Sequence, residues 1–202
     1  MIKGFISRLG DHPLWNYYMQ IAAHMGDFTY SDRIKTALAP EKGDKVLDAG
    51  CGLGLYNMLA DFYVGVDSNK DHLAWARKRF VKGENKYFVA GDLTEVEFSF
   101  KAFDRAICSR VLHHLSDAGS AALIKKLARL TKKRVLFVDR IPPGEKATAG
   151  EKFFLKLEKG HFVRPLEDTI RLIEEDFIIE NVSRFMNRTR TGECAVIPAA
   201  PR

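Results

Sequence analysis

Hydrophobic and polar positions fall into two patterns that divide the chain near residue 40. Before that point the apolar residues recur every three or four positions, which predicts amphipathic helix. The residues that carry this spacing are Leu14, Tyr17, Tyr18, Ile21, Ala22 and Met25. Ile34 and Leu38 predict a second, short helix, which ends before the turn at 40–43. Residues 1–40 are therefore interpreted as a helical N-terminal cap.

Beyond that turn, short apolar runs alternate with stretches of helical period. The runs predict five strands, at 45–50, 62–67, 86–92, 103–109 and 134–141. Helices are predicted between them over 55–60, 71–80 and 117–130, and the last is capped by Ser116 or Asp117. Strands that alternate with helices form right-handed βαβ units and a parallel sheet covered on both faces.

The C-terminal part of the chain breaks this alternation. Residues 176–185 and 192–199 both have strand character, and only the polar stretch MNRTRT separates them. Because so short a link cannot hold a crossover helix, the pair is predicted to be an antiparallel hairpin. The predicted fold class is α/β: a doubly wound, seven-stranded, mostly parallel sheet that ends in an antiparallel hairpin, in three αβα layers.

Composition is that of one soluble globular domain, with 202 residues, 46% hydrophobic and 29% charged. No apolar run approaches the ~20 residues that a membrane helix needs, so no membrane span is predicted. The N-terminus lacks the pattern of a secretory signal. Cys51, Cys108 and Cys194 are odd in number and lack metal-ligand spacing, which predicts free thiols, no metal site and a reducing cytoplasm.

The net charge of +6 raises the question of a nucleic-acid partner. Two basic clusters contribute to it: Lys125, Lys126, Arg129, Lys132, Lys133 and Arg134, and Arg184, Arg188 and Arg190. The first cluster falls at the end of a predicted helix, where cations complement the helix dipole and usually face water. This placement disfavours a nucleic-acid interface.

The stretch VLDAGCGLG, residues 46–54, ends the first predicted strand in a glycine turn. In doubly wound sheets ligands bind beyond the carboxyl ends of the strands, so this turn is the candidate site. No lysine and hydroxyl pair follows Gly54, which excludes a phosphate-binding P-loop. The spacing of dinucleotide enzymes would need glycine at Leu55 or Asn57, which argues against an NAD oxidoreductase. Asp48 would repel a diphosphate and attract a cationic ligand.

This stretch resembles motif I of the class I S-adenosylmethionine-dependent methyltransferases, whose pattern is D/E-x-G-x-G-x-G. Asp48, Gly50, Gly52 and Gly54 occupy the four marked positions. The resemblance implies a Rossmann-like fold and S-adenosyl-L-methionine as cofactor. It places the glycine backbone against the methionine part of the cofactor and the acid near its amino-acid end. Cys51 belongs to the same cofactor-binding turn, where it is interpreted as a small residue filling tight space rather than as a nucleophile.

The ends of the next two strands match further cofactor positions of that family. Asp67 ends the second strand, where a carboxylate can accept hydrogen bonds from both ribose hydroxyls. Ser68 and Asn69 follow it, either as further cofactor contacts or as the cap of the next helix. Asp92, after the third strand, resembles the residue that accepts from the adenine amino group. The backbone N–H of Leu93 is implied to meet the adenine ring.

Residues 107–115, ICSRVLHHL, resemble the motif IV region of the family. The resemblance implies that Ser109 and Arg110 reach the crevice beside the reactive methyl group. The segment lacks N/D-P-P-Y/F, the pattern of many enzymes that methylate nucleobase and glutamine nitrogens. Its absence disfavours amino methylation.

Methyl transfer from a sulfonium requires alignment of the acceptor, exclusion of water and at most a base for its proton. Of the adjacent His113 and His114, at most one is expected to face the crevice, and family members with V-L-x-H-L favour His114. It would act as the base or stack on the cofactor site. His161, with Arg164, is the other candidate, either gripping an anionic or hydroxyl-bearing acceptor or forming a structural turn.

Aromatic residues suggest a partly apolar small-molecule acceptor, although such residues are often simply core. They are Trp15, Tyr17, Tyr18, Phe28, Tyr30, Phe153, Phe154 and Phe162. The sequence thus predicts a cytoplasmic methyltransferase that acts on the oxygen or carbon of a small molecule. It is a single domain over 1–202, with the cap at 1–40 and a Rossmann-like core at 41–202. An RNA or protein methyltransferase and a non-catalytic S-adenosylmethionine-binding module remain as alternatives.

Overall fold

The computed structural model describes residues 28–81, 85–142, 144, 161–186 and 192–202. The described α-helices are α1 (Phe28–Leu38), α2 (Lys70–Phe80), α3 (Asp117–Leu130) and α4 (Leu166–Glu174). Short 3₁₀ helices cover Leu55–Leu59 and Leu112–His114. The strands are β1 (Lys45–Ala49), β2 (Phe62–Asp67), β3 (Lys86–Ala90), β4 (Phe103–Ser109), β5 (Thr131–Arg140), β6 (Phe177–Ile179), β7 (Ser183–Met186) and β8 (Glu193–Pro201). The helix predicted around 14–25 lies outside the described residues.

The strands form one mixed sheet in the order β3-β2-β1-β4-β5-β8-β6, and β7 also pairs with β8. The first five strands are parallel, whereas β8 runs antiparallel to β5, β6 and β7. The predicted fold class is therefore confirmed. The order reverses direction at β1, so the carboxyl ends of β1 and β4 form the switch point where ligands bind in such sheets.

The strand predicted over 176–185 is divided into β6 and β7, which gives eight strands instead of seven. Ile179 pairs with Ala199, and Ser183 pairs with Val196. The path from Ile179 to Ser183 holds one residue more than the facing path, so the ladder contains a bulge. Pro198 lies in this interval and has no N–H to donate, which accounts for the break.

Helices cover both faces of the sheet, as predicted. On one face α3 and α4 supply Leu123, Ile124, Leu127, Leu130, Leu166 and Ile173 to the main core. On the other face Ile34 and Leu38 of α1 are fully buried against β1, β4, β5 and β8. α2 buries Leu73 and Ala76 beside β2 and β3. These contacts confirm the short helix predicted from Ile34 and Leu38.

Local boundaries differ from the sequence prediction at three places. The segment at 55–60 is a 3₁₀ helix, β5 begins at Thr131 rather than 134, and α4 was not predicted. The signal for α4 is present in the sequence: Leu166, Ile170 and Ile173 follow Pro165 at helical spacing. The predicted cap at Ser116 is confirmed, since its side chain accepts from the Gly119 amide.

Ion pairs neutralise most of the first basic cluster. Its cations pair with acids from other segments: Lys126 with Glu97, Lys132 with Asp104, Lys133 with Glu41 and Asp44, and Arg134 with Glu180. In the second cluster Arg184 lies 3.8 Å from Glu167, and Arg188 and Arg190 lie outside the described residues. The interleaved acids leave little uniformly positive surface for a polyanion at the first cluster.

The three cysteines, all within the described residues, form no disulfide with one another. No helix in the described parts of the chain has the length and apolar character needed to span a bilayer. The predicted cytoplasmic location stays a prediction.

A buried arginine anchors α1 to the sheet. Arg105 of β4 donates to the carboxylate of Asp44 at 2.6 Å and to the Leu38 carbonyl at 3.0 Å. Lys133 donates to the other Asp44 oxygen at 2.8 Å. Burial alone would raise the pKa of Asp44, but hydrogen bonds from Lys133, the Glu41 amide and Arg105 outweigh it and lower the pKa to about 2. The charged carboxylate therefore holds the end of α1 in place.

Asp44→Asn is expected to lower the free energy of unfolding by about 3 kcal/mol at pH 7, because it removes the buried counter-charge of Arg105 and leaves only the exposed Glu41 at 3.3 Å. The folded pKa lies below the ordinary 3.8, so this contribution is complete above that pH and is lost as pH falls towards 2. Urea unfolding of the variant and the parent measures the loss.

Asp168→Asn is the matched control, since Asp168 pairs with Arg171 on the exposed surface. Its expected effect is below about 0.5 kcal/mol. Equal effects of the two substitutions would contradict the anchoring role of Asp44.

Candidate functional site

The glycine turn after β1 is fixed to the end of β2 by backbone hydrogen bonds. The amides of Gly50 and Cys51 both donate to the Val66 carbonyl, at 2.8 and 3.0 Å. Gly50, Gly52 and Gly54 all have positive φ, at 73°, 51° and 70°. The turn therefore stands at the switch point of the sheet, as its sequence predicts.

The three glycines are needed for different reasons. A Cβ on Gly50 would lie 2.4 Å from Val111, and one on Gly54 would lie 2.4 Å from the Phe88 ring. A Cβ on Gly52 would meet nothing within 4 Å. Gly50 and Gly54 thus permit close packing inside the protein, whereas the backbone at Gly52 borders open space that a ligand can fill.

Asp67 ties the glycine turn to the start of α2. Its carboxylate accepts from the amides of Gly52 and Asn69, each at 2.7 Å. Each oxygen keeps a further lone pair, so the group can still accept from two ribose hydroxyls. Of the two interpretations of Ser68 and Asn69, cofactor contact or helix cap, the structure shows Asn69 as the cap. Its side chain accepts from the Asp71 and His72 amides at the start of α2. Ser68 is exposed beside it.

Asp48 lies beneath the turn rather than on its surface, because its side chain is only 1% exposed. The Tyr63 hydroxyl donates to it at 2.6 Å. The pKa of Asp48 is raised to about 7, mainly because the group is buried. The hydrogen bond from Tyr63 lowers the pKa, and the negative charge of Asp67 raises it further. Burial also raises the pKa of the Cys51 thiol, which supports the interpretation of Cys51 as a space-filling residue.

The loop after β3 adjoins the end of β2, since the Gly91 amide donates to the Asp67 carbonyl at 3.0 Å. Asp92 is exposed in this loop, where one carboxylate oxygen accepts from the amide and hydroxyl of Thr94 at 2.8 and 2.7 Å. The Leu93 side chain is buried in the core. The loop conformation thus leaves the Asp92 carboxylate accessible near Asp67.

Ser109 ends β4, and its hydroxyl lies 3.1 Å from that of Tyr56 in the 3₁₀ helix after the glycine turn. Tyr56 was not singled out from the sequence. The contact brings the end of β4 next to the candidate cofactor site, and the cofactor contact of Ser109 stays a prediction.

His113 forms a buried pair with Asp139 at the end of β5. The Asp139 carboxylate accepts from the His113 amide at 2.9 Å, and its other oxygen bonds His113 Nδ1. The His113 side chain is 2% exposed, and its Nε2 has no hydrogen-bond partner in the described part of the chain. His114 is exposed, with its ring centre 4.1 Å from that of His113. Asp139 was not singled out from the sequence. Its position near the end of β5 resembles that of Asp67 at the end of β2, and this pattern could have identified it.

Arg164 clamps the segment that carries these histidines. Its guanidinium donates to the carbonyls of Leu112, Leu115 and Phe162 and to the carboxylate of Asp117. The Phe162 amide donates to the His113 carbonyl at 3.0 Å. Because these partners occupy most of its donors, the structural-turn alternative fits Arg164 better than a grip on the acceptor. His161 is exposed in the same turn.

Residues 46–134 match the family described as Methyltransferase domain. This stretch runs from β1 to the start of β5 and includes the glycine turn, so the match supports assignment to the class I S-adenosylmethionine-dependent methyltransferases. A comparison with curated proteins found no match.

Solved structures share the fold of this chain at low sequence identity. The magnesium protoporphyrin IX methyltransferase from Synechocystis PCC 6803 with bound SAH is 22% identical, over 92% of this chain and 88% of that one, with a TM-score of 0.69. An S-adenosylmethionine-dependent methyltransferase from Mesorhizobium loti is 21% identical, over 83% and 96%, with a TM-score of 0.66. The [4+2]-cyclase SpnF is 15% identical, over 86% and 80%, with a TM-score of 0.68.

The methyltransferase-domain match and the solved relatives with bound SAH or SAM support S-adenosyl-L-methionine as the cofactor, and the site fits it. Open space at Gly52 and the remaining lone pairs of Asp67 match a nucleoside that approaches the main chain closely. The predicted contacts lie at the carboxyl ends of β1 to β4 and remain predictions residue by residue. They are Asp48, Gly50, Cys51, Gly52, Gly54, Asp67, Ser68, Asp92, Leu93 and Ser109.

Gly52→Ala is expected to reduce affinity for S-adenosylhomocysteine roughly tenfold or more, because the added methyl group enters the space assigned to the cofactor. It should lower the free energy of unfolding by only about 1–2 kcal/mol, the cost of a left-handed conformation for alanine. Calorimetric titration and urea unfolding measure the two effects.

Gly54→Ala is the comparison, since its methyl group would collide with Phe88 and should destabilise the fold more than Gly52→Ala does. If Gly52→Ala binds S-adenosylhomocysteine as tightly as the parent does, the cofactor does not occupy the space at Gly52.

Proposed function

We propose that this methyltransferase transfers the methyl group to an oxygen or carbon atom of a small molecule that loses a proton in the reaction. We also take residues 1–202 as a single domain, with 1–40 as its cap, acting in the cytoplasm. The observation that carries the proposal is the buried pair of His113 and Asp139 with its unpartnered nitrogen.

The pair fixes the chemistry available to His113. Since the Asp139 carboxylate accepts from Nδ1–H, the lone pair of the imidazole lies on Nε2. A buried acceptor without a donor costs about 1–3 kcal/mol, and a protic group of a bound molecule that displaced the atoms covering Nε2 would remove that cost. The Asp139 carboxylate would then stabilise the imidazolium that forms when Nε2 takes the proton.

The position of His113 suits this role. Val111, two residues earlier, packs against Gly50 of the cofactor turn, where a Cβ would lie 2.4 Å away. The Arg164 clamp and the Phe162 amide hold the intervening backbone. A base on this segment would therefore stand close to the cofactor and keep its orientation.

The cofactor supplies a methyl group made electrophilic by its positively charged sulfur. The residues of this chain align the acceptor, exclude water and remove its proton. The acceptor atom forms its new bond to the methyl carbon, the electrons of the broken carbon–sulfur bond return to sulfur, and the acceptor's proton moves to His113 Nε2. This assignment places the base at His113 instead of His114, which the family resemblance favoured, because His113 is the histidine paired with Asp139. We propose that the exposed His114 and His161 contact the acceptor or cover it.

A small-molecule acceptor is favoured over RNA by the ion pairs that interleave acids with the first basic cluster. One structural relative is a magnesium protoporphyrin IX methyltransferase, which is a precedent for a small-molecule acceptor on this fold. Another is a cyclase, so the fold by itself does not assign methyl transfer. Labelling experiments distinguish these possibilities directly.

Incubation with methyl-labelled S-adenosylmethionine and a pooled metabolite extract is expected to label a small molecule. His113→Asn should then lower kcat by about 10²–10⁴-fold, the usual contribution of a general base. Its affinity for S-adenosylhomocysteine should stay within about threefold of the parent, because the asparagine amide can still donate to Asp139.

His114→Asn is the matched control, with a smaller expected loss of kcat. Parental turnover in His113→Asn would remove the base role. Label found in RNA or protein would refute the small-molecule acceptor, and no label in any fraction would favour the binding module.

A further inference from the structure

Asp48 is a buried acid without a positively charged partner in the described part of the chain. Its side chain is 1% exposed, and its hydrogen bond comes from the neutral Tyr63 hydroxyl at 2.6 Å. The charged group that affects the pKa of Asp48 is the carboxylate of Asp67, and its negative charge raises that pKa. The arrangement places two acids close together beside the glycine turn.

The other groups around Asp48 supply no positive charge to it. Cys51 of the turn and Cys108 of β4 are buried thiols whose pKa values burial raises, so both are neutral. Leu73 and Ala76 of α2, which pack in one buried cluster with Cys51 and Tyr63, are apolar. Lys86 lies 5.9 Å from the centre of the Tyr63 ring and donates to the Asn57 and Ala60 carbonyls.

Tyr63 is placed for its contact with Asp48 by the strand pairing. Asp48 pairs with Gly65 across β1 and β2, and a Cβ on Gly65 would lie 2.7 Å from Cys51 Sγ and 3.0 Å from the Tyr63 hydroxyl oxygen. The absent side chain therefore provides the space in which the phenol reaches the acid. Tyr63 itself is fully buried, with its ring beside Phe88.

An ionised carboxyl group in such surroundings is costly unless a cation or several donors compensate it. Protonation removes the cost in the cofactor-free protein, which agrees with a pKa of about 7 for Asp48. A cation bound above the turn would reverse the balance, because it favours the ionised form.

We propose that Asp48 carries a proton in a large fraction of the cofactor-free protein and releases it when the ammonium end of the cofactor binds. Tyr63 acts as the positioning residue that stabilises the ionised acid. The O–H bond of the carboxyl group breaks, the proton passes to the buffer, and the carboxylate is left opposite the bound cation. This inference rests on the cofactor site described above and adds a proton to its binding equilibrium.

Calorimetric titration with S-adenosylhomocysteine in phosphate and in Tris, which differ in ionisation enthalpy, counts the protons released. The parent should release nearly one proton per ligand at pH 6, about half at pH 7 and almost none at pH 9. Since the ligand needs the ionised acid, the affinity should fall about tenfold per pH unit below pH 7 and level off above it.

Asp48→Asn should release no proton at any of these pH values and bind with an affinity independent of pH. Tyr63→Phe, which keeps the ring but loses the donor, should move the midpoint of proton release up by roughly one pH unit. Tyr87→Phe is the matched control on the exposed face of β3, with parental behaviour expected.

Unfolding of the cofactor-free protein gives a second measurement. The folded pKa of Asp48 lies above its ordinary 3.8, so ionisation destabilises the native state increasingly as pH rises from 3.8 to about 7, and fully above that. Asp48→Asn should therefore gain stability relative to the parent over this range and keep a constant gain above it.

The outcomes separate the inference from the function on which it rests. Binding of S-adenosylhomocysteine by the parent without proton release between pH 6 and 9 would overturn the inference and leave the cofactor site intact. Proton release that persists in Asp48→Asn would assign the proton to another group. Absence of binding at every pH would instead refute the site itself.

Discussion

The architecture of the site depends on the attachment of one glycine turn to the end of one strand. The amides of Gly50 and Cys51 are satisfied by Val66, and the amide of Gly52 by Asp67. These bonds hold the turn at the switch point of the sheet, with positive φ at the alternate residues Gly50, Gly52 and Gly54. They leave the backbone at Gly52 beside open space. The same attachment sets the Asp67 carboxylate beside the open space at Gly52 and the buried Asp48 beneath the turn.

The segment proposed to carry the base is held by a second set of contacts. The segment after β4 carries no long regular element, yet it is fixed on both sides, by Asp139 through His113 and by Arg164 through the backbone carbonyls. A loop held in this way can present a side chain with the accuracy that alignment of an acceptor requires. The buried Nε2 of His113 has no hydrogen-bond partner within the described residues, and this is the observation on which its proposed role as a base rests.

Much of the fold could be predicted from sequence because it depends on local patterns. Alternating apolar runs identify the strands of the parallel sheet, whereas the cofactor roles of Asp67 and Asp92 come from the resemblance to the family and stay predictions. The contacts that define Asp48 and His113 could not be predicted. Tyr63 reaches Asp48 across two strands through the space left by Gly65, and Asp139 is 26 residues from His113. Such contacts depend on the packing of the sheet, which periodicity does not encode.

A crystal structure of the protein with S-adenosylhomocysteine tests the central claim most directly. The account predicts the nucleoside beyond the carboxyl end of β1, its ribose hydroxyls on the Asp67 carboxylate and its amino-acid part along the backbone at Gly52. It also predicts that the Gly52 and Asn69 amides keep their bonds to Asp67. A ligand bound at another part of the sheet, or a nucleoside that leaves Asp67 and Gly52 without contact, would contradict it.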